Sequence, residues 1–319
     1  MKYLVNDSVD PHYNMAFDEW CLEHLDVSEP VFYLWRNSPS VIIGLNQNAY
    51  SEVDLPYLES HGIILARRVT GGGAVYHDLQ NLNYTFIGKD VDTAPFVDAL
   101  RSLGIPAEVS GRNDVFVDGR KVSGYAKRVW KDRVMVHGTL MYDVDIDTLG
   151  SVLAAPGSKM EAKGIASVRS RVCNVKDICP QFASVLELKA ALQEYLEGYG
   201  TGRGLVELSA SDLSEIADLS ASKFLTWEWN YGHSKEASVV RSARLACGTV
   251  EARVSLDGGI IQSVAFAGDF LGRLSPEGLS AALAGVRYER GVVCAALQGV
   301  NVADYFDGVG VDDLLNLIV

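Results

Sequence analysis

Alternating apolar and polar positions predict a series of β-strands in the first half of the chain. The segments VFYLWR and SVIIG, punctuated by Pro39 and Gly44, are typical strands, and GIILARR, NYTFIG and RVMVHGTLMYDV follow them along the chain. Between the last two, NDVFVDGRKVSGYAKR contains two such runs that meet at Asp118-Gly119. Both residues tolerate positive φ angles, so this point predicts a hairpin.

A longer spacing of three to four residues between apolar positions predicts the helices. It is present over about 12–25, and it returns over 55–61 and 93–103. Ser184 and Glu187 have the separation of a capping box ahead of an apolar stripe, which predicts a helix that begins after Ser184.

The C-terminal part of the chain has a pattern of its own. Beyond residue 237, three strand-like runs follow one another, with Gly258-Gly259 in one of the turns. A short helix over 311–318 is predicted to end the chain.

The order of these elements indicates the fold class and the domains. Strands and helices occur in clusters, without the regular alternation of a doubly wound sheet, which favours an α+β protein. The segment TWEWNYG closes the long first part. We therefore predict a large domain over 1–236 and a small, mixed α/β domain over 237–319.

Composition and charge exclude several classes of protein. Hydrophobic residues make up 48% of the 319 residues and charged residues 22%, a balance that argues against disorder. No apolar run approaches the roughly 18 residues of a membrane span, and the first residues lack a signal-peptide core, so we expect a cytoplasmic protein with no membrane partner. The net charge of −13 argues against nucleic-acid binding.

Two stretches run against this acidic balance. Seven Lys or Arg stand against three Asp between Arg112 and Arg133, and three basic residues stand without an acid between Lys163 and Arg171. Such stretches are typical of a site for a phosphate or a carboxylate, and solvated basic faces are an equal alternative.

The five cysteines indicate neither structural zinc nor a disulfide framework, because they are odd in number and form no CxxC pair. Cys173 follows Arg169 and Arg171, and nearby positive charge favours a reactive thiolate. A small buried hydrophobe is the more common role of a lone cysteine.

The segment RRVTGGGAVYHD is the first candidate for chemistry. Gly71, Gly72 and Gly73 carry no Cβ, so the backbone can turn tightly and bring N–H groups against phosphate oxygens. Thr70 adds a hydroxyl, and the arginine pair before it adds charge. The pattern fits neither a Walker loop nor GxGxxG, and a glycine run alone is more often a mobile turn.

Three later segments hold further candidates. In GRNDVFVDGRKVSG, Asn113 and Asp114 could bind a ribose, an amine or Mg²⁺, and Lys121 could offset negative charge on a carboxylate or an acyl phosphate. An exposed strand lysine is the common alternative. His137 lies in the apolar strand VHGTLMYDV, where a histidine is more often a core residue than a catalyst. KGIASVRSRVCN has the composition of a loop that orders over a ligand.

Taken together, these segments resemble one family. RRVTGGGAVYHD with NLNYTF, GRNDVFVDGRKVSG, HGTL and KGIASVRSRVCN occur in the order and approximate spacing of lipoate–protein ligase A, and VFYLWRN, VIIGLNQN and WEWNYG agree with its flanks. The resemblance spans about residues 3–235 and is weaker after 237. It implies a biotin/lipoate-ligase-type α+β catalytic domain, with mixed and antiparallel sheets flanked by helices, and a small accessory domain that acts as a lid.

The resemblance also implies a two-step reaction. Lipoate and Mg-ATP give lipoyl-adenylate and pyrophosphate, and the lipoyl group then moves to a lysine of a lipoyl domain. The implied partners are the apo lipoyl domains of 2-oxoacid dehydrogenase E2 subunits or the glycine cleavage H protein, and the enzyme is expected to be a monomer. The choice between lipoate and octanoate stays open.

By position, the resemblance assigns roles to residues in these segments. Lys121 is the expected catalytic residue, because it would contact both the lipoyl carboxylate and the adenylate phosphate. The expected ATP-binding residues are Arg68, Thr70, Gly71, Gly72, Gly73, Ala74, Val75, Tyr76, Asn113, Asp114, Lys121 and Arg128. The expected lipoate-binding residues are Gly73, His77, Lys121 and His137. Asp114 is the expected Mg²⁺ ligand, and the loop 163–174 is expected to close over the adenylate.

Three positions depart from the family pattern. Leu45 stands where relatives often carry a basic residue, Gln80 where glycine is expected, and Cys173 where threonine is common.

Two alternatives to the ligase are a cysteine-dependent octanoyl- or lipoyl-transferase of the same superfamily and a non-catalytic lipoate- or nucleotide-binding module. A transferase would need a thiol at 110–114 or 155–157, and neither segment has one, which favours the ligase.

Overall fold

The computed structural model describes residues 1–110, 113–153, 170–234 and 237–319. Its strands are β1 (Lys2–Tyr3), β2 (Val31–Trp35), β3 (Ser40–Ile43), β4 (Ile64–Arg67), β5 (Val75–His77), β6 (Asn81–Gly88), β7 (Glu108–Ser110), β8 (Asp114–Val117), β9 (Arg120–Trp130), β10 (Arg133–Met141), β11 (Ala237–Leu245), β12 (Gly248–Asp257) and β13 (Ile260–Gly268). Its α-helices are α1 (Pro11–His24), α2 (Ala49–Glu52), α3 (Leu55–His61), α4 (Ala94–Ser102), α5 (Ile146–Val152), α6 (Val175–Ile178), α7 (Val185–Gly198), α8 (Ala210–Leu219), α9 (Glu277–Leu283), α10 (Arg290–Ala296) and α11 (Val311–Ile318). Ser220–Phe224 and Glu228–Gly232 form π-helical turns, and Val302–Asp304 forms a 3-10 turn.

Three sheets organise these elements. The largest has seven strands in the order β1-β2-β6-β10-β9-β8-β7, and only the β1–β2 pair in it is parallel. A second sheet, β4-β3-β5, pairs β3 and β4 in parallel and β3 and β5 in antiparallel orientation. The third, β11-β12-β13, is antiparallel. The predicted α+β class is confirmed.

The two faces of the large sheet serve different purposes. On β6, Tyr84 and Phe86 enter a core cluster shared with α4 and α7. Successive side chains of a strand point to opposite faces, so Asn83 and Thr85 project to the other face. There the Thr85 hydroxyl donates to a carboxylate oxygen of Asp18 on α1, at 3.1 Å. The period-2 pattern of NYTFIG therefore separates a dry core from a polar face.

Helix α1 covers that polar face and is itself buried on nearly all sides. The Asp10 carboxylate caps it by accepting from the backbone N–H groups of His12 and Tyr13, and Pro11 occupies the first helical position. Its buried residues include Asn14, Asp18 and Glu19 as well as the apolar positions. The predicted helix is confirmed, but it carries polar groups inward.

The remaining local predictions agree with the structure. Asp118 and Gly119 have φ angles of 49° and 74°, as the hairpin requires, and they set β9 antiparallel to β8. The predicted helices 55–61 and 311–318 have these bounds, and the predicted helix 93–103 is α4. The Ser184 hydroxyl caps α7 by accepting from the Glu187 N–H at 3.2 Å.

The segment 237–319 has a hydrophobic cluster of its own, between its sheet and α9 to α11. One side chain from the first part of the chain, Tyr50 of α2, is buried in this cluster. The guanidinium of Arg287 lies 4.7 Å from the ring centre of Trp227 and pairs with Glu228. In the parts of the chain that the structure describes, no helix combines the length and apolar character of a membrane span.

Candidate active site

A cavity of about 140 Å³ lies between the glycine loop and the polar face of the large sheet. Strands β2, β6, β10 and β9 all contribute to its wall, and α1 contributes Met15. Nine of the residues predicted from the sequence lie in the wall: Arg68, Gly72, Gly73, Ala74, Val75, His77, Asn113, Lys121 and His137. The structure therefore brings together segments that are up to 70 residues apart in the chain.

The conformation of the glycine loop depends on one of its three glycines. Gly72 has a φ of +98°, which L side chains rarely adopt, whereas a Cβ at Gly71 or Gly73 would meet no atom within 4 Å. The Gly72 carbonyl oxygen also lies so close to Gly44 that a Cβ there would approach it to 2.2 Å. Gly44 and Gly72 thus allow two loops to touch at the cavity.

Arg68 holds the glycine loop from behind. Its guanidinium donates to the Gly71 carbonyl at 2.8 Å, the Gly73 carbonyl at 2.7 Å and the Thr70 hydroxyl at 3.0 Å, and also to the Ile42 carbonyl at 3.0 Å. Burial lowers the pKa of Arg68 to about 10, so the group keeps its charge at neutral pH. Its donors are occupied by the loop itself, and its charge lies at the cavity wall.

Arg67 lies away from the cavity, where hydrogen-bond acceptors surround its guanidinium group. It is fully buried and donates to backbone carbonyls of two segments that are distant in sequence. The acceptors are the carbonyls of Gly44, Leu45, Gln47, Trp229 and Asn230 and the Ser234 hydroxyl. The sequence-based expectation that both arginines supply charge to a ligand is therefore wrong for Arg67, since its guanidinium joins loop 44–47 to the turn at 228–232.

Lys121 stands at the cavity wall on β9, next to the hairpin. Its ammonium pairs with the Asp114 carboxylate at 2.7 Å, and both side chains remain about one-third exposed. Gly124 lies directly below, since a Cβ there would come within 2.9 Å of the Lys121 Nζ atom. The Asn113 amide donates to the Tyr125 carbonyl at 2.8 Å, which holds the start of the hairpin over the same strand. The site thus contains a fixed, accessible ammonium group.

A buried relay connects the glycine loop to α1. The Asp18 carboxylate accepts from His137 Nδ1 at 2.6 Å, and His137 Nε2 lies 2.7 Å from the Thr70 hydroxyl. Asp18 also accepts from the Tyr33 hydroxyl at 2.5 Å and from Thr85 at 3.1 Å. Since a carboxylate only accepts, His137 carries a proton on Nδ1, and in the neutral ring Nε2 accepts from Thr70.

The other predicted site residues lie outside the cavity wall. Tyr76 points to the opposite face of β5 and packs in an apolar cluster with Val41 and Ile43. Arg128 donates to the Val69 carbonyl at 3.2 Å and lies 3.5 Å from the Glu19 carboxylate. Thr70 bonds to His137 and Asp114 pairs with Lys121, and both of these partners line the wall. Gly71 is the residue before Gly72, the first glycine of the loop in the wall. Of the predicted loop 163–174, residues 163–169 lie outside the described part of the chain.

Several wall residues were not predicted from the sequence. They are Met15, Trp35, Ile42, Asn83, Gly124, Tyr125, Ala126, Gly138 and Thr139. The relay residue Asp18 was also missed. A signal for Asp18 existed, because adjacent acidic residues, Asp18 and Glu19, interrupt a run of apolar helix positions, and buried carboxylates are rare unless they are paired.

Cys173 faces away from the cavity. Its side chain is 1% exposed and belongs to the core cluster on the far side of the sheet. Only its backbone touches the site, where its N–H donates to the Lys121 carbonyl at 3.1 Å. Burial raises the pKa of the Cys173 thiol, so the environment disfavours the thiolate that a covalent acyl carrier needs.

Comparisons with known proteins give a consistent result. Residues 10–197 match the family model of the lipoyl protein ligase A/B catalytic domain, and residues 234–318 match that of the bacterial lipoate protein ligase C-terminus. The lipoate-protein ligase LplJ of Bacillus subtilis (strain 168) is 38% identical over 330 residues, with 100% of both chains covered.

Two solved structures are similar over about three quarters of the chain. One is a bipartite lipoate protein ligase of Thermoplasma acidophilum, reported with its E2 lipoyl domain, with a TM-score of 0.66 and 31% identity over 75% of this chain and 98% of that one. The other is a lipoate-protein ligase A bound with ATP, with a TM-score of 0.62 and 29% identity over 72% of this chain and 97% of that one.

The glycine loop gives a first prediction. Gly72→Ala should lower the free energy of unfolding by about 1–3 kcal/mol, because alanine cannot adopt the observed φ without strain. Gly71→Ala is the matched control and should change it by less than about 0.5 kcal/mol. Urea unfolding at equilibrium measures both values. Equal losses in the two variants would contradict the conformational role of Gly72.

The relay gives a second prediction. In Asp18→Asn, the side-chain oxygen should keep the two hydroxyl donors Tyr33 and Thr85, which turns the amide nitrogen toward His137. The proton of His137 should then move from Nδ1 to Nε2, and ¹⁵N NMR of the imidazole detects this change. Tyr33→Phe, the control, should leave the proton on Nδ1. An unchanged His137 in Asp18→Asn would contradict the relay.

Proposed function

The chain belongs to the lipoyl protein ligase A/B family, and from this premise we propose that it is an ATP-dependent lipoate–protein ligase. The observation that carries the proposal is the composition of the cavity. The Lys121 ammonium stands on one side of it, and Met15, Ile42 and Val75 provide apolar wall elsewhere. This arrangement suits an acid that has a charged carboxylate and an apolar tail.

In the first step, a carboxylate oxygen of lipoate attacks the α-phosphorus of ATP, and pyrophosphate leaves. The product is lipoyl-adenylate, a mixed anhydride whose acyl carbon is activated without a cysteine. Negative charge is concentrated between carboxylate and phosphate, and Lys121 supplies a positive charge at that point. Because Asp114 holds the ammonium at 2.7 Å, little reorganisation is needed when the substrates meet.

The glycine loop supplies the nucleotide side of the site. Its bare backbone allows N–H groups to approach phosphate oxygens, and Arg68 fixes the loop by binding the carbonyls of Gly71 and Gly73. Arg68 thereby acts as a positioning residue for the loop. The relay through Thr70 and His137 anchors the same loop to α1.

Magnesium is the cofactor that this chemistry requires. Among the described residues, no group of three or more His, Cys, Asp or Glu forms a ready-made metal site. Magnesium in nucleotide enzymes is commonly held by one or two carboxylates together with substrate phosphates, so the single carboxylate of Asp114 fits this mode. The bound ion would neutralise phosphate charge, while Lys121 and Asp114 position the reacting groups.

In the second step, a lysine ε-amine of an apo lipoyl domain attacks the acyl carbon, the amine loses a proton, and AMP leaves. We propose E2 lipoyl domains or the glycine cleavage H protein as acceptors, which the reported pairing of the Thermoplasma ligase with its E2 lipoyl domain supports.

The five unpaired thiols support action in the reducing cytoplasm. We also propose that the enzyme is a monomer.

We further propose that the chain divides near residue 237 and that 237–319 is a lid. The separate cluster of this segment supports the division, and Tyr50 supports a mechanical link between the two parts. Tyr50 lies a few residues beyond the loop 44–47 that Arg67 holds, so movement of the small part would reach the cavity through this loop.

The direct test is pyrophosphate release by the purified protein with Mg-ATP and lipoate, followed by mass spectrometry of an added apo lipoyl domain. We expect release and then lipoylation. Lys121→Ala should reduce release by a factor of about 10² or more, because it removes the charge that stabilises the transition state.

The matched control is Lys127→Ala, an exposed lysine on the same strand. It should release pyrophosphate at nearly the normal rate. Equal rates for the two variants would refute the role of Lys121, and acylation from an acyl-carrier protein without ATP would refute the ligase.

The position of Cys173 separates the ligase from a transferase. Cys173→Ser should retain pyrophosphate release to within about twofold, because the thiol lies in the core and forms no acyl intermediate. Cys294→Ser in the small part is the control for a serine at a cysteine position. A folded Cys173→Ser protein that loses all acyl transfer would indicate covalent catalysis instead.

A further inference from the structure

Two N–H groups in the cavity wall have no partner among the described residues. They are Nε2 of His77 and Nδ2 of Asn83, whose residues are 3% and 1% exposed. A buried donor without an acceptor is costly, so native proteins rarely keep one unless a ligand or an ordered water completes it. These two groups therefore indicate a polar contact that the protein alone does not make.

The pair lies at the end of the cavity opposite Lys121. Asn83 on β6 stands beside Trp35 on β2, and the rings of Trp35 and His77 meet edge to face with centres 6.3 Å apart. Lys121 lies on β9, and the order β6-β10-β9 places it two strand spacings from Asn83, roughly 10 Å. A ligand whose carboxylate meets Lys121 would place its far end near His77 and Asn83.

A chain of amides fixes the proton of His77. The backbone N–H of Ser8 donates to Asn6 Oδ1 at 3.1 Å, and Asn6 Nδ2 donates to Asn14 Oδ1 at 3.0 Å. Asn14 Nδ2 donates to Asn37 Oδ1 at 2.8 Å, which leaves Asn37 Nδ2 facing His77 Nδ1 at 3.0 Å. A backbone N–H can only donate, so every amide in the chain has one orientation. His77 Nδ1 must accept, and its Nε2 carries the hydrogen.

Two observations support this assignment. Asn14 Nδ2 also lies 3.0 Å from the backbone carbonyls of Ser8 and Arg36, so its two hydrogens are shared among three acceptors, and a flipped amide would place its oxygen against all three. Burial, with smaller effects of Arg68 and His137, lowers the pKa of His77 to about 3, so the ring is neutral at physiological pH. The unpartnered Nε2–H group thus belongs to a neutral imidazole of a cavity-wall residue.

The second donor is oriented by its neighbour. Asn81 Nδ2 donates to Asn83 Oδ1 at 2.9 Å, so the Nδ2 group of Asn83 is the part that lacks a partner. The surrounding wall of Met15, Trp35 and Ile42 is otherwise apolar. Two donors in such a wall suit a tail that is mainly apolar and carries weak acceptors.

We propose that the N–H groups of His77 and Asn83 bind the sulfur atoms of the lipoate ring and so select lipoate over acids with a hydrocarbon tail. The proposal rests on the function proposed above. Divalent sulfur is a weak hydrogen-bond acceptor, whereas a hydrocarbon tail at the same place would leave both donors unpaired. A site built to hydrogen-bond part of a substrate discriminates against an analogue that lacks it.

The matched substrate pair is lipoate and 5-cyclopentylpentanoate, in which methylene groups replace the two ring sulfurs. The ratio of kcat/KM for pyrophosphate release isolates the contribution of sulfur. We expect the wild-type protein to prefer lipoate by about tenfold in kcat/KM, because each of the two weak hydrogen bonds contributes a factor of about three. A ratio near one would overturn the proposal, whereas no release with either acid would refute the ligase function itself.

The matched variant is Asn37→Asp, which changes no residue of the cavity wall. Its second carboxylate oxygen should accept from His77 Nδ1, so that Nε2 of the neutral ring becomes an acceptor that faces the sulfurs. At pH 8.5 the preference for lipoate should fall to about twofold or less, and ¹⁵N NMR should place the His77 proton on Nδ1. A moved proton with an unchanged preference would overturn the role of His77.

Asn83→Leu provides an independent variant if Asn37→Asp does not fold. It removes the second donor while keeping a similar volume, and the lipoate preference should fall by about threefold. Equal losses of kcat/KM for both acids, with the preference intact, would show that Asn83 serves the fold and would overturn its part of the proposal.

Discussion

Two buried guanidinium groups, those of the consecutive residues Arg67 and Arg68, set the arrangement of the loops around the cavity. A buried charge is tolerated only when hydrogen bonds replace its lost water, and Arg67 and Arg68 obtain theirs almost wholly from backbone carbonyls. Arg67 gathers the loop 44–47 and the turn 228–232, and Arg68 gathers the glycine loop. The contact between Gly44 and Gly72 follows from this constraint, because both loops are drawn to the same point.

With the loops held in this way, the site needs few charged groups of its own. Lys121 is the accessible ammonium in the cavity wall, and the Asp114 carboxylate holds it at 2.7 Å. Catalysis by position and charge suits this design, since a mixed anhydride already contains a good leaving group. The buried thiol of Cys173 agrees with the same chemistry, because nothing in the cavity calls for a covalent carrier.

The sequence was sufficient for features that depend on local patterns. The alternation in NYTFIG predicted β6, the tolerance of Asp118-Gly119 for positive φ predicted the hairpin, and motif resemblance pointed to Lys121, which lies in the cavity wall. It was insufficient for Asp18, because α1 is buried on nearly all sides and its polar residues do not form a solvent face, and for Asn37 and Asn83, which lie after β2 and on β6. Their partners lie up to 119 residues away, so only the folded sheet brings them together. Arg67 was misjudged because a charge at a glycine loop suggests a ligand, whereas its acceptors are carbonyls.

Isotope exchange between pyrophosphate and ATP, with the purified protein, Mg²⁺ and either lipoate or no acid, tests the central claim most directly. Exchange requires reversible formation of the acyl-adenylate in the cavity and needs no acceptor protein. The account predicts label in ATP only when lipoate is present. Exchange without lipoate, or no exchange in a protein that acylates a lipoyl domain from a carrier thioester, would contradict it.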